Sequence, residues 1–242
     1  MSDRRLQAVI VEPRKHEGLR PVLENMCEKL PNVPITVMHG THNREFAHRA
    51  AENVECVVDI HQVNAINMDA QTYSKLLTSE AFWDALGDRE KTLVFQTDSG
   101  ICGEGAEIEK FINYDYCGAP WKHQKKRVGN GGFSLRDTAI SKRLIKENKK
   151  RYTGDRHISE DLLFVEWCEK DHTCKKCPPD VGQEFSSETI KSKAWAFHNN
   201  MKKFGKPICD FNQRIHELNK RATALGAVPD VHSWQPVVTL SN

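Results

Sequence analysis

The hydrophobic positions of the chain alternate between short apolar runs and longer stretches with helical spacing. The apolar runs, bounded by polar, glycine or proline positions, predict strands at residues 6–11, 33–38, 54–60, 93–95, 133–135 and 195–197. Apolar residues that recur near the helical period predict helices at residues 18–30, 69–86, 107–112, 137–149, 159–168 and 212–225, with a break at Ser79-Glu80. Residues 227–242 are punctuated by proline and are expected to be irregular.

This alternation of strands and helices predicts an α/β fold, with a mainly parallel sheet and crossover helices. Right-handed crossovers would place the loops that follow Val11, Met38 and Phe95 along one edge of the sheet. Ligands of open α/β sheets bind at the carboxyl ends of the strands, so a functional site is expected at this edge.

Composition and charge exclude several classes of protein. The 242 residues, 38% of them hydrophobic, are enough for one domain with its own core. The formal net charge of +2 gives no argument for nucleic-acid binding, and no apolar run is long enough to span a membrane. The N-terminus lacks a signal-peptide core, so a cytoplasmic location is expected, in the host cytoplasm if the chain is viral.

The eight cysteines fall into a scattered set and a cluster. The scattered set is expected to be reduced in a cytosolic protein and consists of Cys27, Cys56, Cys102, Cys117 and Cys209. Four possible zinc ligands form the cluster: Cys168, His172, Cys174 and Cys177. Because the cluster contains a single Cys-x-x-Cys pair, a loop of free thiols is the alternative to a zinc site.

Asp98 follows the apolar strand at residues 93–95. A carboxylate there can bind Mg²⁺ or Mn²⁺, which would neutralise a diphosphate, or it can simply cap the turn at Ser99-Gly100. The glycines at residues 129–132 match neither the dinucleotide fingerprint nor the phosphate-binding loop. They allow backbone to approach a ligand closely, or form a tight turn into the next strand.

Two further positions have both a catalytic and a structural interpretation. Glu160 and Asp161 lie at a predicted helix start, where acids stabilise the helix dipole or, alternatively, where one of them acts as a general base. His198 follows the last predicted strand and can complete a metal site or lie on the surface of a basic loop.

Several motifs occur in order along the chain: 73–77 (YSKLL), 80–83 (EAFW), 93–99 (LVFQTDS), Phe111, 114–116 (YDY), 118–121 (GAPW), 128–136 (VGNGGFSLR) and 159–161 (SED). In combination they resemble a glycosyltransferase-like domain family found in bacteria, fungi, algae and large DNA viruses. The resemblance covers about residues 6–199. That family is in turn similar to the nucleotide-sugar glycosyltransferases of the GT-A fold.

The resemblance implies a GT-A-like domain over residues 1–205, with residues 206–242 forming a C-terminal helix and irregular tail packed on it. It implies a hexosyl- or pentosyltransferase that uses Mn²⁺ or Mg²⁺ and inverts the anomeric configuration. The donor would be a sugar linked to UDP or GDP, and the acceptor a glycan or glycoprotein hydroxyl.

Site residues also follow from the resemblance. Asp98 matches the last acid of the Asp-x-Asp metal motif, with Thr97 in the middle and Gln96 in place of the first acid. Asp161 matches the base of a Glu-Asp pair with Glu160, and His198 matches a late metal-binding histidine. The remaining assignments are nucleotide contacts by Glu12 and Arg14, and sugar or acceptor contacts by Trp121, Asn130, Gly131 and Gly132.

Two alternatives to an enzyme stay open at this stage. Gln96, in place of the first metal-binding acid, favours a non-catalytic carbohydrate- or nucleotide-binding module on the same fold. The cysteine cluster favours a zinc-stabilised interaction domain.

Overall fold

The computed structural model describes residues 5–122, 124–148 and 158–224. Its strands are β1 (Leu6–Glu12), β2 (Ile35–His39), β3 (Val58–Gln62), β4 (Lys91–Phe95), β5 (Ser99–Ile101), β6 (Tyr116–Gly118), β7 (Pro120–Trp121), β8 (Gln124–Val128), β9 (Phe133–Asp137), β10 (Ser186–Ser187) and β11 (Ala196–His198). Its α-helices are α1 (Leu19–Lys29), α2 (Arg44–Ala51), α3 (Ala70–Leu77), α4 (Glu80–Asp84), α5 (Thr138–Asn148), α6 (Glu160–Lys170), α7 (Pro179–Phe185), α8 (Met201–Phe204) and α9 (Asp210–Ala224). A 3₁₀ helix spans Gly105–Lys110.

A central six-stranded sheet has the order β3-β2-β1-β4-β9-β6. The first four strands in this order are parallel, whereas β9 runs antiparallel to both β4 and β6. A second sheet, β10-β11-β5, lies at the carboxyl end of β4, and β7 pairs with β8. The sheet is therefore mixed and mainly parallel, as the alternation of elements predicts.

Each face of the central sheet has its own hydrophobic core, because successive side chains of a strand point to opposite faces. Ala8 and Ile10 of β1 belong to the cluster that includes α1, whereas Val9 and Val11 belong to the cluster that includes α3 to α6. Burial of both faces explains why β1 is apolar throughout rather than alternating.

The main departures from the predicted elements have local causes. Strand β3 begins at Val58 rather than at residue 54, because the Val54 N–H closes a turn onto the Ala51 carbonyl. Helix α2 lacked a sequence signal, since only Ala47 and Ala50 of its eight residues are buried. The predicted break at Ser79 is present, and the Ser79 side chain caps α4 by accepting from the Phe82 N–H.

The prediction of reduced cysteines is wrong for four of the five scattered residues, and the cluster contains a further disulfide. Disulfides join Cys27 to Cys56, Cys102 to Cys209 and Cys168 to Cys174, with Cα–Cα separations of 5.5, 5.9 and 5.1 Å. These separations lie in the usual range for the bond. Cysteine usage therefore no longer supports the cytoplasmic location, which stays a prediction.

The disulfides also remove the ligand set of the zinc alternative. Cys168 and Cys174 are bonded to each other, and Cys177 is a buried free thiol, as is Cys117. Within the described residues, no group of three or more His, Cys, Asp or Glu side chains is arranged to hold a metal ion. In the same part of the chain, no helix is both long and apolar enough to cross a membrane.

Candidate functional site

A cleft of about 630 Å³ opens at the carboxyl ends of β1 and β4. The strand order 3-2-1-4 reverses direction between these two strands, and open α/β sheets bind ligands at such a point. The volume lies in the range of small-molecule sites. With the exception of Trp121, every site residue predicted above lines this cleft.

Glu12 and Arg14 form a rigid pair just after β1. The Arg14 Nε and Nη2 atoms donate to the two Glu12 carboxylate oxygens, each at 2.7 Å, and the pairing raises the pKa of Arg14. Asn43 donates to the Glu12 and Arg14 backbone carbonyls and so fixes the loop. The Arg14 side chain stays 35% exposed. It can therefore contact a ligand while Glu12 holds it in place.

Gln96, Asp98 and His198 converge on one point of the cleft. The His198 Nε2 atom lies 3.1 Å from Gln96 Oε1 and 3.3 Å from Asp98 Oδ1. Strand pairing brings them together, because β11 runs antiparallel to β5 and places His198 opposite Ser99. The turn after β4 is closed by the Ser99 hydroxyl, which bonds to Gln96 backbone atoms. The Asp98 side chain is therefore not needed to cap this turn.

The loop Asn130-Gly131-Gly132 contacts both His198 and the acids at the start of α6. A Cβ atom on Gly132 would lie 2.2 Å from His198 Nε2, and one on Gly131 would lie 2.4 Å from Glu160 Oε1. These glycines are therefore required by the close approach of two protein side chains. The Gly131 N–H also donates to Asp161 Oδ2 at 3.2 Å.

Gly132→Ala is expected to displace the His198 ring, since the new methyl group would occupy its position. The variant should fold but bind Mn²⁺ at least about tenfold more weakly than the wild type, in line with losses at displaced metal ligands. Titration of Mn²⁺ monitored by electron paramagnetic resonance measures this. Asp84→Ala is the control, because Asp84 pairs with Lys142 at the surface and does not line the cleft. Equal Mn²⁺ affinities in the wild type and Gly132→Ala would contradict the role of His198.

The two acids at the start of α6 have different environments. The Asp161 carboxylate lines the cleft and accepts from the Gly131 and Leu162 N–H groups, which fixes its orientation. Glu160 is buried and paired with Arg136 Nη2 at 3.0 Å. The Arg136 guanidinium is itself fully buried and lies close to the rings of Tyr116 and Phe164. Asp161 is thus available to a substrate, whereas Glu160 anchors the helix start.

Burial raises the pKa of Glu160 to about 7, and neighbouring Asp161 adds to the rise, although Arg136 opposes it. Because the ordinary value is 4.5, the folded protein binds a proton at Glu160 more tightly than the unfolded chain does. The stability of the wild type relative to Glu160→Gln should therefore decrease as the pH rises from about 4.5 to 7. Urea unfolding across that pH range measures it, and a flat or opposite trend would contradict the shift.

Several cleft residues had no recognisable signal in the sequence. Tyr73 lies within the apolar pattern of α3, yet its half-buried side chain lines the cleft, and burial of its hydroxyl group raises its pKa. His16 follows β1, and burial lowers its pKa. Asn219 of α9 donates to the Thr97 carbonyl at 3.0 Å, so the C-terminal helix forms part of the cleft wall.

The predicted contact of Trp121 with the sugar or acceptor is not supported. Trp121 does not line the cleft and packs against the hydrophobic cluster of α3 to α6. Its ring packs against Gly129: a Cβ atom on that glycine would lie 3.3 Å from the Trp121 Cη2 atom. The aromatic side chain therefore contributes to packing in the structure.

The donor set of the cleft fits a hard divalent cation. Carboxylate and amide oxygens from Asp98 and Gln96, together with one imidazole nitrogen from His198, suit Mn²⁺ or Mg²⁺ better than a soft metal. The charge balance of the lining agrees. Besides the ion pairs of Glu12 with Arg14 and of Glu160 with Arg136, three carboxyl groups (Asp69, Asp98, Asp161) and one cationic side chain (Lys15) belong to the cleft lining. An anionic diphosphate would therefore need a bound cation.

Residues 58–206, more than half of the chain, match a family model with the description "Protein of unknown function (DUF5672)". A comparison with curated proteins finds no significant match.

Three solved structures share the fold. The apo-form glycosyltransferase GlyE of Streptococcus pneumoniae TIGR4 matches with a TM-score of 0.55 and 11% identity, over 95% of this chain and 66% of GlyE. Mouse xyloside xylosyltransferase 1 matches with a TM-score of 0.50 and 13% identity, over 82% of this chain and 98% of its own. The inositol-1-phosphate CTP transferase of T. maritima matches with a TM-score of 0.51 and 7% identity, over 91% of this chain and 97% of its own.

These likenesses confirm the predicted fold class, an α/β fold with a mainly parallel central sheet flanked by helices, similar to GT-A enzymes. The neighbours include both glycosyltransferases and a nucleotidyltransferase. Since one fold hosts many reactions, the activity has to be argued from the cleft itself.

Proposed function

The chain belongs to the DUF5672 family, and from this premise and the geometry of its cleft we propose that it is a glycosyltransferase. It would transfer a hexosyl or pentosyl group from a nucleoside-diphosphate sugar to an acceptor hydroxyl, with inversion and with the help of Mn²⁺ or Mg²⁺. A UDP- or GDP-linked donor and a glycan or glycoprotein acceptor are the expected substrates. The expectations of a microbial or viral source and of a cytoplasmic location belong to the same proposal.

One observation carries the proposal. A possible cation-binding group (Asp98 with His198) and a possible base (Asp161) line the same cleft, and the Asn130–Gly132 loop contacts both His198 and Asp161. A transferase that inverts needs a base across the sugar from the leaving phosphate. A carboxylate that could act as the base and a group that could hold the cation in one cleft support such a reaction.

In the proposed reaction, Asp161 accepts the proton of the acceptor hydroxyl. The hydroxyl oxygen then attacks the anomeric carbon from the face opposite the diphosphate, and the bond from that carbon to the diphosphate oxygen breaks. Gly131 and Leu162 hold the Asp161 carboxylate through their N–H groups, so the base is oriented before the substrate arrives. A bound cation would stabilise the charge that develops on the leaving diphosphate.

Other residues of the cleft would bind and orient the donor. Arg14, held by Glu12, presents a guanidinium to the nucleotide at the end of β1. Asn219 and the Thr97 carbonyl join α9 to the turn after β4 and close this side of the cleft. Glu160 contacts Gly131, and its ion pair with Arg136 keeps the start of α6 in place.

A non-catalytic carbohydrate- or nucleotide-binding module is the second candidate. Gln96 favours it, because an amide oxygen without charge holds a divalent cation more weakly than the carboxylate it replaces. Such a module would bind the donor but would not release nucleoside diphosphate from it.

A screen of nucleoside diphosphates and sugar nucleotides, with and without Mn²⁺, tests the proposal. A ligand that binds only the native state raises the unfolding temperature by mass action, so thermal shift identifies the donor class. The donor that gives a shift is then incubated with candidate acceptors, and released nucleoside diphosphate is measured. Binding without release would favour the binding module, and no binding of any nucleotide or sugar nucleotide, with or without Mn²⁺, would contradict the proposed glycosyltransferase.

A further inference from the structure

Helix α9 forms one wall of the cleft and contacts the loops that follow β1 and β4. Asn219 and Ala222 line the cleft. The Asn219 Nδ2 atom donates to the Thr97 carbonyl at 3.0 Å, next to Asp98, and its side chain also interacts with His16. The position of α9 therefore affects both of the loops between which the donor is proposed to bind.

Few side chains attach α9 to the rest of the domain. Of residues 210–222, only Asn212 and Ile215 are buried. The Phe211 ring packs on Gly100, where a Cβ atom would lie 2.4 Å from the Phe211 Cε1 atom, and the remaining residues are exposed or only partly buried. Elements with few buried contacts open locally at a lower free energy than the whole protein unfolds. Additional anchoring therefore matters more for α9 than for a core helix.

A disulfide supplies that anchoring at the start of the helix. Cys209 directly precedes α9 and is bonded to Cys102, which directly follows β5. Strand β5 begins at Ser99, immediately after Asp98. The bond thus joins α9 covalently to the segment that carries the proposed cation-binding aspartate.

This disulfide is also more exposed than the other two disulfides of the described residues. Cys102 and Cys209 are both partly exposed, whereas each of the other bonds includes one buried cysteine, Cys27 or Cys168. The rate of thiol–disulfide exchange depends on the access of the attacking thiolate to a sulfur atom. A reductant is therefore expected to open Cys102–Cys209 first.

We propose that the Cys102–Cys209 disulfide secures α9 as a wall of the cleft, so that its reduction loosens α9 and weakens nucleotide binding. A dithiol would supply two electrons and two protons: the bond between the two Sγ atoms breaks, both cysteines become thiols, and the dithiol is oxidised to a disulfide. The effect on nucleotide binding rests on the proposed function, whereas the loosening of α9 does not.

General destabilisation is the competing explanation, because loss of a disulfide lowers the stability of the whole fold. The two explanations differ in where the protein opens. Loosening of α9 would affect residues 210–222 and the cleft but leave the central sheet protected, whereas general destabilisation would affect β1 and β4 as well. The Cys27–Cys56 disulfide provides a matched comparison, since neither of its cysteines lines the cleft.

The first measurement is hydrogen–deuterium exchange of the oxidised wild type, Cys102→Ser/Cys209→Ser and the control Cys27→Ser/Cys56→Ser. Amides of α9 are expected to exchange faster in Cys102→Ser/Cys209→Ser than in the other two proteins, while those of β1 and β4 stay as protected as in the wild type. Equal protection of α9 in Cys102→Ser/Cys209→Ser and the wild type would overturn the proposal. An equal loss of protection in α9 and the central sheet would overturn it too.

The second measurement is the affinity of the same three proteins for UDP and GDP in the presence of Mn²⁺, by calorimetric titration. We expect the affinity to fall by at least about fivefold in Cys102→Ser/Cys209→Ser, because the nucleotide then binds only the fraction of molecules in which α9 is docked, and to stay unchanged in the control. Faster exchange of α9 with unchanged affinity would refute the link between the helix and the site. If neither nucleotide binds to the oxidised wild type, the proposed function fails for these donors, and the exchange of α9 alone decides whether the disulfide secures the helix.

Limited treatment of the folded wild type with dithiothreitol replaces the double variant, should that variant not fold. Alkylation of the new thiols and mass spectrometry identify the bond that opens first, which is expected to be Cys102–Cys209. Earlier opening of Cys27–Cys56 or Cys168–Cys174, or opening of Cys102–Cys209 without faster exchange of α9, would contradict the proposal.

Discussion

Asp161→Asn is expected to lower sugar transfer by about 10²- to 10⁴-fold, the usual contribution of a general base. Asparagine has almost the same shape, and its amide oxygen can still accept from one of the two N–H groups, of Gly131 and Leu162, that bond to different oxygens of Asp161. It cannot take up a proton from the acceptor. Donor binding should therefore stay within about twofold of the wild type, because the lost interaction belongs to the transition state.

The measurement is the turnover of the donor found by thermal shift, together with its dissociation constant for each variant. Glu166→Gln is a matched control, since Glu166 lies on the same helix α6 but does not line the cleft. Transfer that survives in Asp161→Asn at more than about a tenth of the wild-type rate would refute the assignment of the base.

Asp98→Ala is expected to remove the Mn²⁺ dependence of nucleotide binding. Asp98 supplies the charged oxygen of the proposed cation site, so its loss should weaken Mn²⁺-dependent binding by at least about 100-fold, more than the loss of an outer-shell partner. Binding without Mn²⁺ should change little. The negative charge of the cleft would even be reduced, which removes some repulsion of the diphosphate.

Calorimetric titration of nucleoside diphosphate with and without Mn²⁺ measures this difference. Asp84→Ala is a suitable control, because Asp84 pairs with Lys142 at the surface, away from the cleft. If Asp98→Ala and the wild type show the same gain in affinity on adding Mn²⁺, the cation does not bind where we place it.

The parts of this site that follow strand ends could be predicted from the sequence. Glu12 and Asp98 come directly after buried apolar strands, and parallel strands bring their carboxyl ends to one edge of the sheet. His198 was predicted through the family resemblance and is placed beside Asp98 by the pairing of β11 with β5. Short strands of this kind leave little periodic signal of their own.

The remaining residues depend on packing between distant segments. Tyr73 fits the apolar pattern of a core helix, and Asn219 is one of many polar residues on the terminal helix, so neither residue type nor spacing distinguishes them. The need for glycine at position 132 follows from its contact with the His198 ring, which lies far away in the sequence. Disulfide pairing is likewise a matter of three-dimensional distance, since Cys102 and Cys209 are 107 residues apart in the chain.

The central claim is that a cation held by Asp98 and His198 binds the donor diphosphate, with Asp161 across the sugar. Anomalous diffraction from crystals grown with Mn²⁺ and the nucleoside diphosphate found in the screen tests it most directly. We predict a manganese peak within coordination distance of the Asp98 carboxylate and His198 Nε2, in contact with the diphosphate and on the opposite side of the Asn130–Gly132 loop from Asp161. A manganese–diphosphate complex bound elsewhere, or bound in the cleft without contact to Asp98, would contradict the claim.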